Sequence, residues 1–183
     1  MLTCIGGVWR PGGGDPDLMA WVTVALLAGC AVLAIAVLRM WPRPATRGFW
    51  IAIAVVTAVL AVNKQLDLQT VLTATGRCMA RAQGWYEHRR AVQTAVITVL
   101  CAGVVLGAVW AGISVRRHLA QNAAALIGLL MLAAFVVARA TAFHRMDGSI
   151  GAAMTDTHYR MLELIGAALI ALNAAFMLRR RRR

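Results

Sequence analysis

Long apolar runs dominate this chain, and the first of them already determines the class of protein. Leu18–Leu38 is a stretch of 21 residues without a charged side chain. A helix needs about 20 mostly apolar residues to cross roughly 30 Å of hydrocarbon at about 1.5 Å per residue. Further runs lie near residues 49–69, 91–115, 119–139 and 159–178. We therefore predict an all-α, polytopic integral membrane protein, a bundle of about five transmembrane helices in a single domain over residues 1–183.

Composition excludes other classes of protein. The chain is 61% hydrophobic and 14% charged, whereas soluble domains are roughly 45–50% apolar and about 25% charged. The formal net charge of +12 would suggest nucleic acid as the partner of a soluble protein. Here the basic residues flank the apolar runs, and five of them are the terminal Arg179–Arg183. Such flanks are typical of membrane spans, so we expect no nucleic-acid partner.

Basic residues also predict the orientation. One set of loops is short, rich in arginine and free of acids, and it contains Arg39, Arg43, Arg47, Arg116 and Arg117. Because cytoplasmic loops concentrate Lys and Arg, we expect the C-terminus in the cytoplasm and the N-terminus outside. The longer loops 70–90 and 140–158 then lie on the outer side. One Lys against 18 Arg suggests a GC-rich bacterial gene, and hence the bacterial inner membrane.

The first segment and the cysteines allow three smaller expectations. Residues 1–17 have no basic region ahead of an apolar stretch, so we expect no cleavable signal peptide. Cys30 and Cys101 lie inside apolar runs and are expected to be small packing residues. Cys4 and Cys78 would both face an oxidising compartment, where they would either pair or remain free thiols.

One spacing of small residues predicts close helix packing. Gly103 and Gly107 are four residues apart, and Gly112 follows. Such spacing lets two membrane helices approach closely. We expect this contact inside the bundle rather than between two copies of the chain.

The second run ends in a polar cluster. Asn63, Lys64 and Asp67 share one face of a helix, because residues three or four apart are neighbours there. In one interpretation the helix surfaces here, Lys64 extends its ammonium to the interface, and Asp67 neutralises it. In the other, the polar face turns into the bundle and lines a binding pocket.

Glu163 is the acid most deeply placed in a predicted span. It lies roughly one turn below the outer surface, if about 20 residues are counted back from Arg179. An ionised carboxylate at that depth is costly unless it is paired or protonated. The candidate partners are Lys64, Arg139 and Arg160, of which Arg160 is a neighbour on the same helix. A structural pair and a functional carboxylate are both open.

The outer loops contain most of the remaining residues capable of chemistry. Trp85 and Tyr86 suit an interfacial belt, and the next basic residues, Arg89 and Arg90, suit phosphate headgroups. His144, Asp147 and His158 are types that ligate a metal ion, but their spacing matches no compact metal motif. A metal cofactor is therefore a possibility that rests on residue types alone.

These patterns favour one function and leave a second open. The chain has no nucleophile motif and no phosphate-binding loop. We expect a non-catalytic binding or accessory protein, in contact with membrane lipids, that binds an anionic lipid-like ligand or another membrane protein subunit. The expected ligand-binding residues are Asn63, Lys64, Asp67, Arg77, Arg89, Arg90, Arg139 and Arg160. The alternative is a membrane-embedded enzyme with a His and carboxylate site, for which the candidate catalytic residues are Glu163, Asp67, His144 and Asp147.

Overall fold

The computed structural model is helical throughout its described part, which comprises residues 18–40, 44–66, 75–76, 78–79, 82, 84, 89–142 and 152–182. The long helices are α1 (Leu18–Met40), α2 (Pro44–Leu66), α3 (Arg89–Val115), α4 (Leu119–Ala142) and α5 (Ala152–Arg182). A 3₁₀ turn, Arg116–His118, joins α3 to α4. No strand occurs in these ranges.

Four helices are long and apolar enough to cross a membrane, so the prediction of a helical multi-pass membrane protein is confirmed at that level. These candidate spans are Leu18–Met40, Ala45–Leu66, Thr94–Ala140 and Arg160–Arg180. The third is 47 residues long and contains most of α3, the 3₁₀ turn and most of α4. Many large apolar side chains on these helices face outward, as expected for surfaces that contact lipid rather than water.

Two helix starts differ from the apolar runs in the sequence. α2 begins at Pro44, because proline has a φ suited to the first helical position and needs no hydrogen bond there. α5 begins at Ala152, inside the predicted outer loop 140–158. Its first turns are therefore polar and precede the apolar run. Apolar composition marks the membrane-buried part of a helix, not its ends.

The core lies where α1, α2, α4 and α5 meet. α1 packs against both α2 and α5, and α5 packs against α4. The buried face of α1 repeats every three or four residues, as in Leu27, Cys30, Ala34 and Val37, which is the spacing of one helix face. Cys30 is fully buried, as expected for a packing residue, and its thiol donates a hydrogen bond to the carbonyl oxygen of Ala167, 3.1 Å away.

α4 and α5 run antiparallel and cross closely at Gly128 and Gly166. A Cβ on Gly128 would lie 2.5 Å from the carbonyl oxygen of Gly166, and one on Gly166 would lie 2.9 Å from that of Gly128. Only glycine permits this approach. The contact fixes the position of α5 along α4. A second contact, between Gln121 and Asn173, shows that the two helices are antiparallel.

The close packing predicted for α3 is wrong. A Cβ at Gly103, Gly107 or Gly112 would meet nothing within 4 Å. α3 contacts the bundle near its C-terminal end, where Ala111 and Val115 are buried. The small residues of α3 therefore lie on an outward face, and the contact that requires glycine occurs between α4 and α5 instead.

Candidate functional site

The polar residues brought together at one end of the bundle are Lys64 and Glu163. The Nζ atom of Lys64 donates a hydrogen bond to Oε2 of Glu163 at 3.0 Å, and the two side chains form an ion pair. The Glu163 side chain is 2% exposed and that of Lys64 is 16% exposed. The carboxylate is therefore enclosed by the bundle, while the Lys64 side chain keeps a small exposed surface.

Three helices place this pair. Lys64 lies in the last turn of α2, and Glu163 lies near the start of the apolar part of α5. α1 packs against both helices, and the bond from Cys30 to Ala167 fixes α5 one turn beyond Glu163. The two charges thus meet beside α1, at the end of the bundle where α2 stops and the apolar part of α5 starts.

Of the three cations predicted as partners of Glu163, the structure selects Lys64. Arg160, the neighbour on the same helix, is half-buried, and Arg139 is exposed. Lys64 therefore does not simply reach to the interface, since its ammonium group points into the bundle. Because a buried carboxylate needs a partner at that depth, the pair explains how Glu163 is tolerated.

The remaining predicted ligand residues are described only in part. Asn63 is half-buried beside Lys64 on α2. Arg89 and Arg90 begin α3, at a part of the helix where only the backbone is described. Asp67 and Arg77 lie outside the described residues.

The metal and catalytic candidates are also largely outside the described part of the chain. His144 and Asp147 fall outside it, and His158 lies in α5 at a position where only the backbone is described. Within the described ranges, no three His, Cys, Asp or Glu side chains come together as metal ligands. The metal site and the catalytic roles of these residues stay predictions.

A second polar group, near the opposite end of the bundle, was missed by the sequence analysis. The indole Nε1 of Trp50 donates to Oδ1 of Asn122 at 3.1 Å, and Nδ2 of Asn122 donates to the carbonyl oxygen of His118 at 3.0 Å. Trp50 and Asn122 are each 1% exposed. This bond joins the N-terminal parts of α2 and α4. The only signal in the sequence was Asn122 near the start of an apolar run. A polar residue is common at that position, because the ends of membrane spans lie near the membrane interface.

Asn173 makes the interhelical hydrogen bond expected of a lone amide deep in a span. Its Nδ2 donates to the carbonyl oxygen of Gln121 at 3.1 Å. Its Oδ1 atom is buried and has no partner within the described part of the chain. The amide therefore links α5 to α4 two turns beyond the glycine crossing, toward the C-terminal end of α5.

One of the described cysteines forms a disulfide bond. Cys78, in the segment after α2, is disulfide-bonded, whereas Cys30 and Cys101 are free thiols. Cys4 itself lies outside the described residues. The pairing of Cys4 with Cys78 therefore stays a prediction.

Comparison of the chain with models of known protein families, with curated proteins and with solved structures found no match.

Proposed function

We propose that this chain is a non-catalytic membrane binding or accessory protein whose ligand site lies at the end of the bundle that contains Lys64 and Glu163. The ligand is an anionic lipid-like molecule or a partner membrane protein. The observation that carries the proposal is the Lys64–Glu163 pair itself, a buried charge pair between two apolar helices. Ionisable residues inside a span are costly and are associated with function.

The energetics of the pair support this choice over a purely structural role. Removing two charges from water costs several kcal/mol per ion, and well-packed apolar residues often replace a buried pair with no loss of stability. A pair kept for stability alone is thus poorly explained. The ammonium of Lys64 has three N–H donors and donates one to Glu163. Its other N–H groups can therefore donate to a phosphate or a carboxylate while Glu163 holds the ammonium in place.

Additional basic residues belong to the same end of the bundle. Arg160 is one turn before Glu163 on α5, and Arg139 is near the end of α4, which runs antiparallel to α5. Guanidinium groups bind phosphate and carboxylate through paired hydrogen bonds. In this proposal Lys64 fixes the position of an anionic group, and Arg139 and Arg160 extend the site toward the interface.

The chain direction supports five spans. Lys64 and Glu163 meet, so α5 enters the bundle at the end where α2 leaves it. α4 runs antiparallel to α5, so it also ends there. α3 must then return the chain to the start of α4. The segment Thr94–Ala140 is 47 residues long, about 70 Å at about 1.5 Å per residue, enough for two crossings.

The orientation we propose has the N-terminus outside and the C-terminus in the cytoplasm of a bacterial inner membrane. Arg39, Arg47, Arg116 and Arg117 end or begin helices on one side, which the positive-inside rule assigns to the cytoplasm. The disulfide of Cys78 supports the opposite side as an oxidising compartment. The site at Lys64 would then face the outer leaflet.

Native mass spectrometry of the purified full-length protein tests the proposed function. We expect a lipid or a protein subunit to remain bound to the wild-type chain. It should be lost from the double variant Lys64→Met/Glu163→Leu, which removes both charges without leaving one of them unpaired. The control is Arg10→Gln, which changes a basic residue that is not among those proposed for the site. A wild-type chain that carries no lipid and no partner would overturn the proposal.

The membrane-embedded enzyme remains a prediction of the sequence alone. Its residues Asp67, His144 and Asp147 lie outside the described part of the chain. Within that part, the buried carboxylate of Glu163 forms an ion pair with Lys64. No observation on the described residues favours catalysis over binding, so we propose binding alone.

A further inference from the structure

The end of the bundle opposite Lys64 gathers exposed arginines from four different segments. We define the arginine face as the side chains of Arg39, Arg47, Arg116, Arg117, Arg179 and Arg180, all of which are exposed. They come from the end of α1, the start of α2, the 3₁₀ turn and the end of α5. Sequence patterns assigned them only to a side of the membrane, whereas the fold brings their helix ends together.

Three contacts and one short connection fix these helix ends to one another. Trp50 of α2 donates a hydrogen bond to Asn122 of α4, and Asn173 of α5 donates one to Gln121 of α4. The ring of Trp110 in α3 lies against Gly48 of α2, 3.2 Å from where a Cβ would be. The short segment 41–43 joins α1 to α2. The six arginines therefore project from one packed unit rather than from separate loops.

Within the described residues, no acid is paired with this face. All seven Asp and Glu residues of the chain lie in its first 17 residues, at Asp67 or Glu87, or from Asp147 to Glu163. None of these positions falls within the sequence segments that contain the six arginines. Within the described part of the chain, none of the six arginines takes part in an ion pair.

We infer that the arginine face is a binding surface for anionic phospholipid headgroups of the adjacent leaflet. The six guanidinium groups lie at the ends of membrane-spanning helices, which is the depth of the headgroup phosphates. Guanidinium binds phosphate through paired hydrogen bonds, and basic clusters next to membrane helices attract anionic lipids. This surface is separate from the site at Lys64 and does not depend on the proposed function.

Lipid titration of the detergent-solubilised full-length protein, followed by native mass spectrometry, tests the inference. The probes are a short-chain phosphatidylglycerol and a phosphatidylcholine with the same acyl chains. We expect preferential retention of phosphatidylglycerol, which should weaken at high salt because exposed charges are screened. In Arg116→Gln/Arg117→Gln the apparent affinity should fall about 25-fold, since each basic residue contributes about fivefold.

The control variant Arg10→Gln/Arg145→Gln has the same change in net charge at two residues that belong to neither defined set, so it should retain the wild-type preference. Equal binding of the two lipids by the wild-type protein would overturn the inference. So would an equal loss in the test and control variants, which would indicate a response to net charge alone. Preference for an acidic peptide such as polyglutamate over phosphatidylglycerol would overturn it in favour of a protein partner. Loss of lipid only in Lys64→Met/Glu163→Leu would overturn it and leave the proposed function intact.

Discussion

Lys64 and Glu163 are 99 residues apart in the sequence, yet the ammonium nitrogen of one lies 3.0 Å from a carboxylate oxygen of the other. Their exposures are unequal, 16% for the lysine side chain and 2% for the glutamate side chain. The partner that cannot reach water is therefore the carboxylate. This asymmetry determines what each single substitution should do.

We expect Lys64→Met to be the more damaging single change, because it leaves the enclosed carboxylate of Glu163 without a cation. Breaking a buried pair in this way costs about 3–5 kcal/mol. Glu163→Leu should cost less, since the partly exposed ammonium can turn outward. The double variant Lys64→Met/Glu163→Leu should recover most of the loss.

Unfolding of the four proteins in a mild detergent, followed by circular dichroism, completes this double-mutant cycle. The exchanged variant Lys64→Glu/Glu163→Lys is the matched control for charge and composition. Additive single effects, with the double variant the least stable of all, would mean that the two side chains do not interact.

The glycine crossing of α4 and α5 gives a second prediction. Gly128→Ala would place a Cβ 2.5 Å from a backbone oxygen of Gly166, so the helices must separate. Overpacking of this kind costs typically about 1–3 kcal/mol. We expect a lowered unfolding midpoint for Gly128→Ala and for Gly166→Ala.

The chain offers its own control for that substitution. Gly103→Ala on α3 meets nothing within 4 Å and should leave the midpoint unchanged or raise it slightly, because alanine favours a helix by up to about 1 kcal/mol. If Gly103→Ala lowered the midpoint as much as Gly128→Ala, the crossing would not be the tight contact described above.

A third prediction concerns the bond between Trp50 and Asn122. Asn122→Leu leaves the indole N–H without its acceptor at a site that is 1% exposed. An unsatisfied buried donor costs about 1–3 kcal/mol, and we expect that destabilisation. Trp50→Phe in the Asn122→Leu background should then cost less than in the wild type.

Thermal unfolding in detergent measures both effects, and Trp21→Phe is the control because Trp21 is 56% exposed. Equal costs of Trp50→Phe in the two backgrounds would show that the indole and the amide are not coupled.

The sequence predicted the class of fold for a clear physical reason. Crossing hydrocarbon demands about 20 apolar residues, and a run such as Leu18–Leu38 meets that demand without any knowledge of its neighbours. Glu163 was likewise recognisable from its depth, because a charge inside a span is costly wherever its partner lies. Its three candidate partners could be named but not ranked.

What the sequence could not predict depends on which helix faces meet. Gly103 and Gly107 have the spacing of a packing motif and face open space, whereas Gly128 and Gly166 are isolated glycines that make the close contact. Spacing within one helix says nothing about the partner face. The bond from Trp50 to Asn122 was missed for the same reason, since each residue alone is ordinary near a membrane interface.

A fourth prediction concerns the sidedness of the two ends of the bundle. Cys78 is disulfide-bonded and Cys30 and Cys101 are free, so unreduced, denatured protein should show two thiols, and reduction should raise the number to four.

In a variant without the native cysteines, a single cysteine at Ala82 should react in intact cells with a reagent that does not cross the membrane, whereas one at Arg47 or Arg117 should not. All three positions are exposed in the structure, so a difference reports on sidedness rather than burial. The reverse pattern would place the arginine face outside and the Lys64 site toward the cytoplasm, and four thiols before reduction would remove the argument from the disulfide.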